Sequence, residues 1–111
     1  MPTQTATTYQ PHLLDPHGAK PQPVIPRNRS SFRLAELYEL LECERVDVVR
    51  LTGGLILIID DVKRIKLLRK FKEPCYLNLL ATYLWYQHIP EARGLDSIAG
   101  KAIVCHDSQF R

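Results

Sequence analysis

Apolar residues recur at helical spacing in two stretches of this chain and at strand spacing around them. Leu34, Leu37, Tyr38 and Leu41 fall at i, i+3, i+4 and i+7, which is one face of a helix. Ser30 or Ser31 stands where a helix cap belongs, and Glu36 and Glu39 point away from the apolar face. Residues 45–51, RVDVVRL, are rich in β-branched side chains and predict a strand. Thr52, Gly53 and Gly54 then supply a tight turn, because glycine adopts the positive φ that such a hairpin needs. The return strand LILIID is apolar on both faces, so both faces are expected to be covered. Helices on one side and a partner subunit on the other are one way to cover them.

Residues 60–74, DDVKRIKLLRKFKEP, fit two patterns. Arg64, Ile65, Lys66 and Leu67 alternate as in a strand, while Ile65, Leu68 and Phe71 fit a helix; Pro74 ends either. Leu77, Leu80, Ala81, Leu84 and His88 then mark a second amphipathic helix, stopped by Pro90. Residues 98–105, IAGKAIVC, predict a last strand with Gly100 at a bulge or close approach. The proline-bounded PVIP of residues 23–26 is a weak first strand or an extended lead-in. The order (β)-α-β-β-α-β predicts an α+β fold: a small, mostly antiparallel sheet with two packed helices.

Composition sets the limits of that domain. The first 26 residues carry six of the eight prolines, only Asp15 and Lys20 as charged side chains, and no sustained apolar pattern. Such a segment buries too little surface to offset its conformational entropy, so residues 1–22 are expected to form a flexible arm and residues 23–111 a single domain. A core of that size is near the lower limit for a lone domain, which favours a homo-oligomer.

The net charge of +3, from 15 basic and 12 acidic residues, is mild. The one dense basic run, residues 63–72, holds six cations and no acid. It suggests an anionic partner, but a solvated face beside Asp60 and Asp61 accounts for it better, and nucleic acid ranks low. Three unspaced cysteines, no leader-like start and no apolar run longer than residues 55–59 point to a reduced, cytoplasmic protein that does not enter a membrane.

Candidate chemistry is sparse. The stretch GLDSIAGKA imitates a phosphate-binding loop, but five residues rather than four separate Gly94 from Gly100. Ala102 replaces the hydroxyl that reaches magnesium, and the flanking segments are a loop and a strand instead of a strand and a helix. Cys105 and His106 are neighbours on a strand and point to opposite faces, which spoils them as joint metal ligands. No cysteine or serine has a local base and orienter, and adjacent carboxylates such as Asp60 and Asp61 more often shape a turn than move protons. No enzyme, cofactor or metal is expected. Asn78, Thr82 and Trp85, at i, i+4 and i+7, place an amide, a hydroxyl and an indole in a row that suits a heterocyclic ligand. The competing assignment makes Asn78 a cap and Trp85 part of the core. Arg64, Lys66 and Lys101 are the cations available to the anionic end of such a ligand.

Taken in order, PRNRSSFRLAELYELL, VDVVRLTGGLILIIDDVKRIKLL, YLNLLATYL and LDSIAGKAIVC resemble a family of small bacterial, phage and mobile-element proteins, domain of unknown function 3846. The matching positions are Asn28, Phe32, Leu34, Leu37, Asp60, Asp61, Lys63, Asn78, Ala81, Thr82, Asp96, Ile98 and Gly100. The chain departs from the family pattern where ECER replaces a glycine pair, where Val62 replaces a glycine, and in an apparent insertion over residues 69–76. The resemblance implies a phage or mobile-element context in a bacterial cytoplasm and no defined activity. Two functions follow as expectations. One is a homo-oligomer that sequesters a small anionic, nucleotide-like ligand, a role suited to countering host defence. The other is a module that inhibits or adapts a host protein through a sheet edge or the proline-rich arm. Nucleic-acid binding through residues 63–72 is a weaker third.

Overall fold

A computed structural model of the chain describes residues 9–18, 20–61, 77–94 and 97–110. They form an α+β domain: one antiparallel sheet of five strands with a helix on each face. The strands are β1 (His12–Leu14), β2 (Gln22–Pro23), β3 (Val46–Arg50), β4 (Leu55–Asp60) and β5 (Ala102–His106). The helices are α1 (Leu34–Leu41) and α2 (Leu79–His88), and the order across the sheet is β2-β1-β5-β4-β3. Short 3-10 turns follow α2 at Pro90–Ala92 and β5 at Asp107–Gln109.

The unbroken apolar run of β4 is explained by its place next to central β5. Ile56, Leu57, Ile58 and Ile59 are all buried, and alternation sends them to two separate cores. Ile56 and Ile58 join Ile103 and Cys105 beneath Leu37 and Leu41 of α1. Leu57 and Ile59 join Leu14, Ala102 and Val104 beneath Ala81 of α2, with Leu80, Leu84 and Trp85 packed alongside. The helices α1 and α2 therefore cover the two faces of β4, and no partner subunit is needed to bury it. The β3–β4 hairpin turns at Gly53 and Gly54, with φ of 69° and 79°, as the TGG chemistry predicts.

The N-terminal boundary differs from the expectation of an arm over residues 1–22. His12–Leu14 pair with β5 in register His12↔Val104 and Leu14↔Ala102, and β2 pairs outside β1. Local sequence does not hold this segment; two buried amides do. Asn78 Nδ2 donates to the Leu14 carbonyl at 2.9 Å, and Gln109 Nε2 donates to the Tyr9 carbonyl at 2.8 Å. Three local details also differ. The N-cap of α1 is Arg33 without a side-chain hydrogen bond; the backbone N–H groups of Ser30 and Ser31 donate instead to Asn28 Oδ1. Glu36 does not face solvent: it is buried and accepts the Arg27 backbone N–H at 2.9 Å. Leu77 stands before α2, in an isolated bridge to Ala99, and the helix starts after Asn78.

Among the described residues, each sheet edge is blunted at particular points. On β3, the bonds of Arg45 and Leu51 to β4 put the even-numbered residues' backbone groups outward. The outward Val48 N–H is taken by Asp47 Oδ1 at 2.8 Å. On β2, the inward bond from Val24 N–H to the Pro11 carbonyl leaves Pro21 and Pro23 facing out, and proline has no N–H to offer. An added strand therefore meets a carboxylate on one side and a row without donors on the other.

Candidate functional site

The described residues among those singled out in the sequence do not converge on one open site. Asn78 is fully buried and is the N-cap of α2: its Oδ1 accepts from Ala81 N–H at 3.1 Å, and its Nδ2 reaches both Leu14 O and Gly100 O. Thr82 is buried too, with Oγ1 accepting from Ile98 N–H at 2.9 Å. Both polar groups bind the fold together instead of facing open space, and Trp85 packs at the edge of the α2-side core. Lys101 lies on the other face of the sheet, where it pairs with Glu42 at the end of α1. Arg64, Lys66 and the rest of the 63–72 run lie outside the described residues.

The cysteine and histidine near the C-terminus are structural as well. Burial, with a smaller contribution from Asp107, pushes the Cys105 thiol up to about 12, so it stays protonated and unreactive at neutral pH. Ser108 Oγ and Asp107 Oδ1 approach the same ring nitrogen of His106, Nδ1, at 2.9 and 3.2 Å. A catalytic triad uses the two nitrogens separately. Here Nε2 faces Gly54, where an added Cβ would lie 2.6 Å away, and the cluster closes the 3-10 turn. Among the described residues, no three of His, Cys, Asp or Glu converge to hold a metal, and no helix is long and apolar enough to cross a membrane.

What the fold builds is a groove. α2 carries no charged side chain between Leu79 and Gln87, and only part of that apolar surface faces the core. Leu79 and Tyr83, one turn apart, are 51% and 58% exposed, large values for apolar side chains on a helix. Beside Tyr83, α2 and β1 diverge to leave a cavity of about 410 Å³. Tyr9, His12, Leu14 and Pro21 form one wall, Leu80, Tyr83, Leu84 and Gln87 the other, with Val104 between. Burial, and secondarily Cys105, raises the Tyr9 phenol, which remains a hydrogen-bond donor at neutral pH. A second hollow of about 440 Å³ shares Leu80 and continues past the start of α2, between Leu79 and the turn holding Asp15, Pro16 and Gly18. Tyr83, Tyr86 and Trp85 form a ladder of tilted rings, with centroids 6.4 and 6.1 Å apart.

Of the residues singled out in the sequence, Asn78 borders the second hollow, while Thr82 and Trp85 line neither. Tyr9, His12 and Asp15 were assigned to the arm, and Tyr83 and Gln87 were not singled out. A signal was present: Leu79 and Tyr83 are large apolar residues outside the predicted core stripe of Leu77, Leu80, Ala81 and Leu84. No family model, curated protein or solved structure matches the chain.

Proposed function

We infer that this protein works by binding, and that its site is the groove between α2 and β1, which holds an apolar segment of a partner protein. The observation that carries this is the pair Leu79 and Tyr83, exposed at the rim of a hollow whose walls are mostly aliphatic and aromatic. Tyrosine standing over a preformed cleft is what a protein interface uses as an anchor, because aromatic side chains bury much area for little lost entropy, and Leu79 adds apolar area beside it. The strands that line the groove, β1 and β5, are paired on both sides, so recognition there falls to side chains. The host-protein module expected from the sequence is thus the better supported of its two functions, with the contact moved from the sheet edge to α2.

A small planar ligand is the second reading. The 410 Å³ hollow is of ligand size, and the Tyr9 hydroxyl, His12 and Gln87 supply polar groups to it. Among the described residues no lysine or arginine lines it, so an uncharged heterocycle suits it better than a nucleotide phosphate. Homo-oligomerisation and the phage-type setting remain proposals of the same kind.

Chemical-shift mapping on the labelled chain tests the assignment, using display-selected peptides in one arm and a nucleotide panel in the other. Shifts grouped on His12, Leu14, Tyr83 and Gln87 with peptides, abolished by Tyr83→Lys, are the expected result. Tyr83 is exposed, so this substitution should leave the unfolding midpoint unchanged. Peptide shifts elsewhere, or shifts with nucleotides alone, would refute the assignment.

A further inference from the structure

Among the described lining residues, the groove carries a carboxylate at one end. Among its described lining residues Asp15 is the sole carboxylate, and no lysine or arginine is present. Asp15 Oδ1 accepts the His17 backbone N–H at 2.9 Å, and its other oxygen has no partner among the described residues. Asp15 lies with Leu79 and Leu80 at the start of α2, whereas Gln87 and His12 lie in the other hollow. Apolar and polar demands are thus ordered along the helix: a carboxylate first, then Leu79 and Leu80, then Tyr83 and Leu84.

The length of the groove is also set. Leu79 to Gln87 spans about 12 Å of helix at 1.5 Å per residue, and a partner helix places anchors at i, i+4 and i+7 over about 10 Å. The strands that wall the groove, β1 and β5, are each paired on both sides, so an extended segment lying there finds no ladder to join, while a helix satisfies its own hydrogen bonds before it arrives. Resting on the groove assignment above, we propose that the occupant is an amphipathic helix of a partner protein. Its apolar stripe of three anchors lies along α2, and a lysine or arginine one turn beyond the stripe reaches Asp15. The cation fixes the direction in which the helix lies. A reversed helix leaves Asp15 facing apolar or acidic residues and places a cation over Tyr83 and Gln87.

The test is a displayed library of helical peptides of about 14 residues, roughly 21 Å long, with apolar and charged positions varied, selected on the full chain. Affinities of the best peptide, with Lys, Gln or Glu at the terminal charged position, are then measured by fluorescence anisotropy. Lys is expected to bind about two- to fivefold tighter than Gln, the range of an exposed ion pair, with Glu weaker still. Asp15→Asn is expected to erase this ranking without preventing binding, whereas Tyr83→Lys prevents binding of all three peptides. Equal affinities on the wild type, or a lysine preference that survives Asp15→Asn, would overturn the charged-helix proposal while leaving the groove intact. Peptides that bind regardless of Tyr83 would overturn the groove assignment, and a groove occupied by a second copy of the chain would overturn its assignment to a partner protein. Chain mass by light scattering, with and without peptide, separates those two.

Discussion

Removing the Asn78 side chain should disconnect three parts of the molecule at once. Asn78→Ala deletes the cap on Ala81 N–H, worth about 1 kcal/mol. It also removes Nδ2 from the Leu14 and Gly100 carbonyls, met at 2.9 and 2.8 Å in a fully buried site; the pairing of Leu14 with Ala102 leaves the Leu14 carbonyl its ladder bond, so the unpaired group is Gly100 O. A buried group left unpaired costs about 1–3 kcal/mol, so the total with the cap is about 2–4 kcal/mol. Against a whole-domain stability of about 5–15 kcal/mol, that is a large fraction. Urea denaturation followed by helical circular dichroism measures it. Asn78→Ser keeps an acceptor for Ala81 but loses both donors, so it should recover only the cap. Asn78→Asp adds a sign test. Its carboxylate faces two carbonyl oxygens, so its folded pKa should rise above the unfolded value of about 3.9. The protonated form then favours the fold: the variant is least impaired near pH 4 and loses stability as pH rises through its folded pKa. A loss below about 1 kcal/mol for Asn78→Ala would mean that water replaces the amide, and the clamp on β1 would be wrong.

Two further substitutions probe the sheet. Gly53 and Gly54 both have positive φ, but only at Gly54 would an added Cβ collide, 2.6 Å from His106 Nε2. Gly54→Ala should therefore lower the urea midpoint more than Gly53→Ala, and His106→Ala should recover part of the difference; equal costs would refute the close approach. Cys105, with its thiol pushed from 9.0 to about 12 by burial, ionises more readily in the unfolded chain. Its contribution is intact below pH 9 and disappears as pH rises from about 9 to about 12. Cys105→Ala should flatten that alkaline loss in a pH series of denaturation curves, and an unchanged slope would contradict it.

The parts of this fold that were legible in the sequence are those governed by local periodicity. Leu37 and Leu41 revealed α1, Leu80, Ala81 and Leu84 revealed α2, and TGG between two β-branched runs revealed the β3–β4 hairpin. β1 was not legible, because three residues between prolines carry almost no pattern. Its position is set by Asn78 and Gln109, whose bonds to Leu14 and Tyr9 cross 64 and 100 residues. The groove has β1 as one wall, so it was hidden for the same reason. Asn78 and Thr82 drew attention as polar residues on an apolar helix, which is correct, but a buried amide beside backbone carbonyls serves packing as readily as binding.

β5 is the innermost strand of the sheet and the last one in the sequence, pairing β1 on one side and β4 on the other. During synthesis, the β3–β4 hairpin and both helices emerge before the strand that joins them to β1. Until β5 arrives, the buried faces of Leu57, Ile58 and Ile59 have no neighbour on that side, and β1 has no sheet to join. Such long-range closure slows folding, because the loop entropy is lost before the contacts form. A nascent chain stalled before residue 102 would expose one long apolar strand edge, a template for mispairing with another chain.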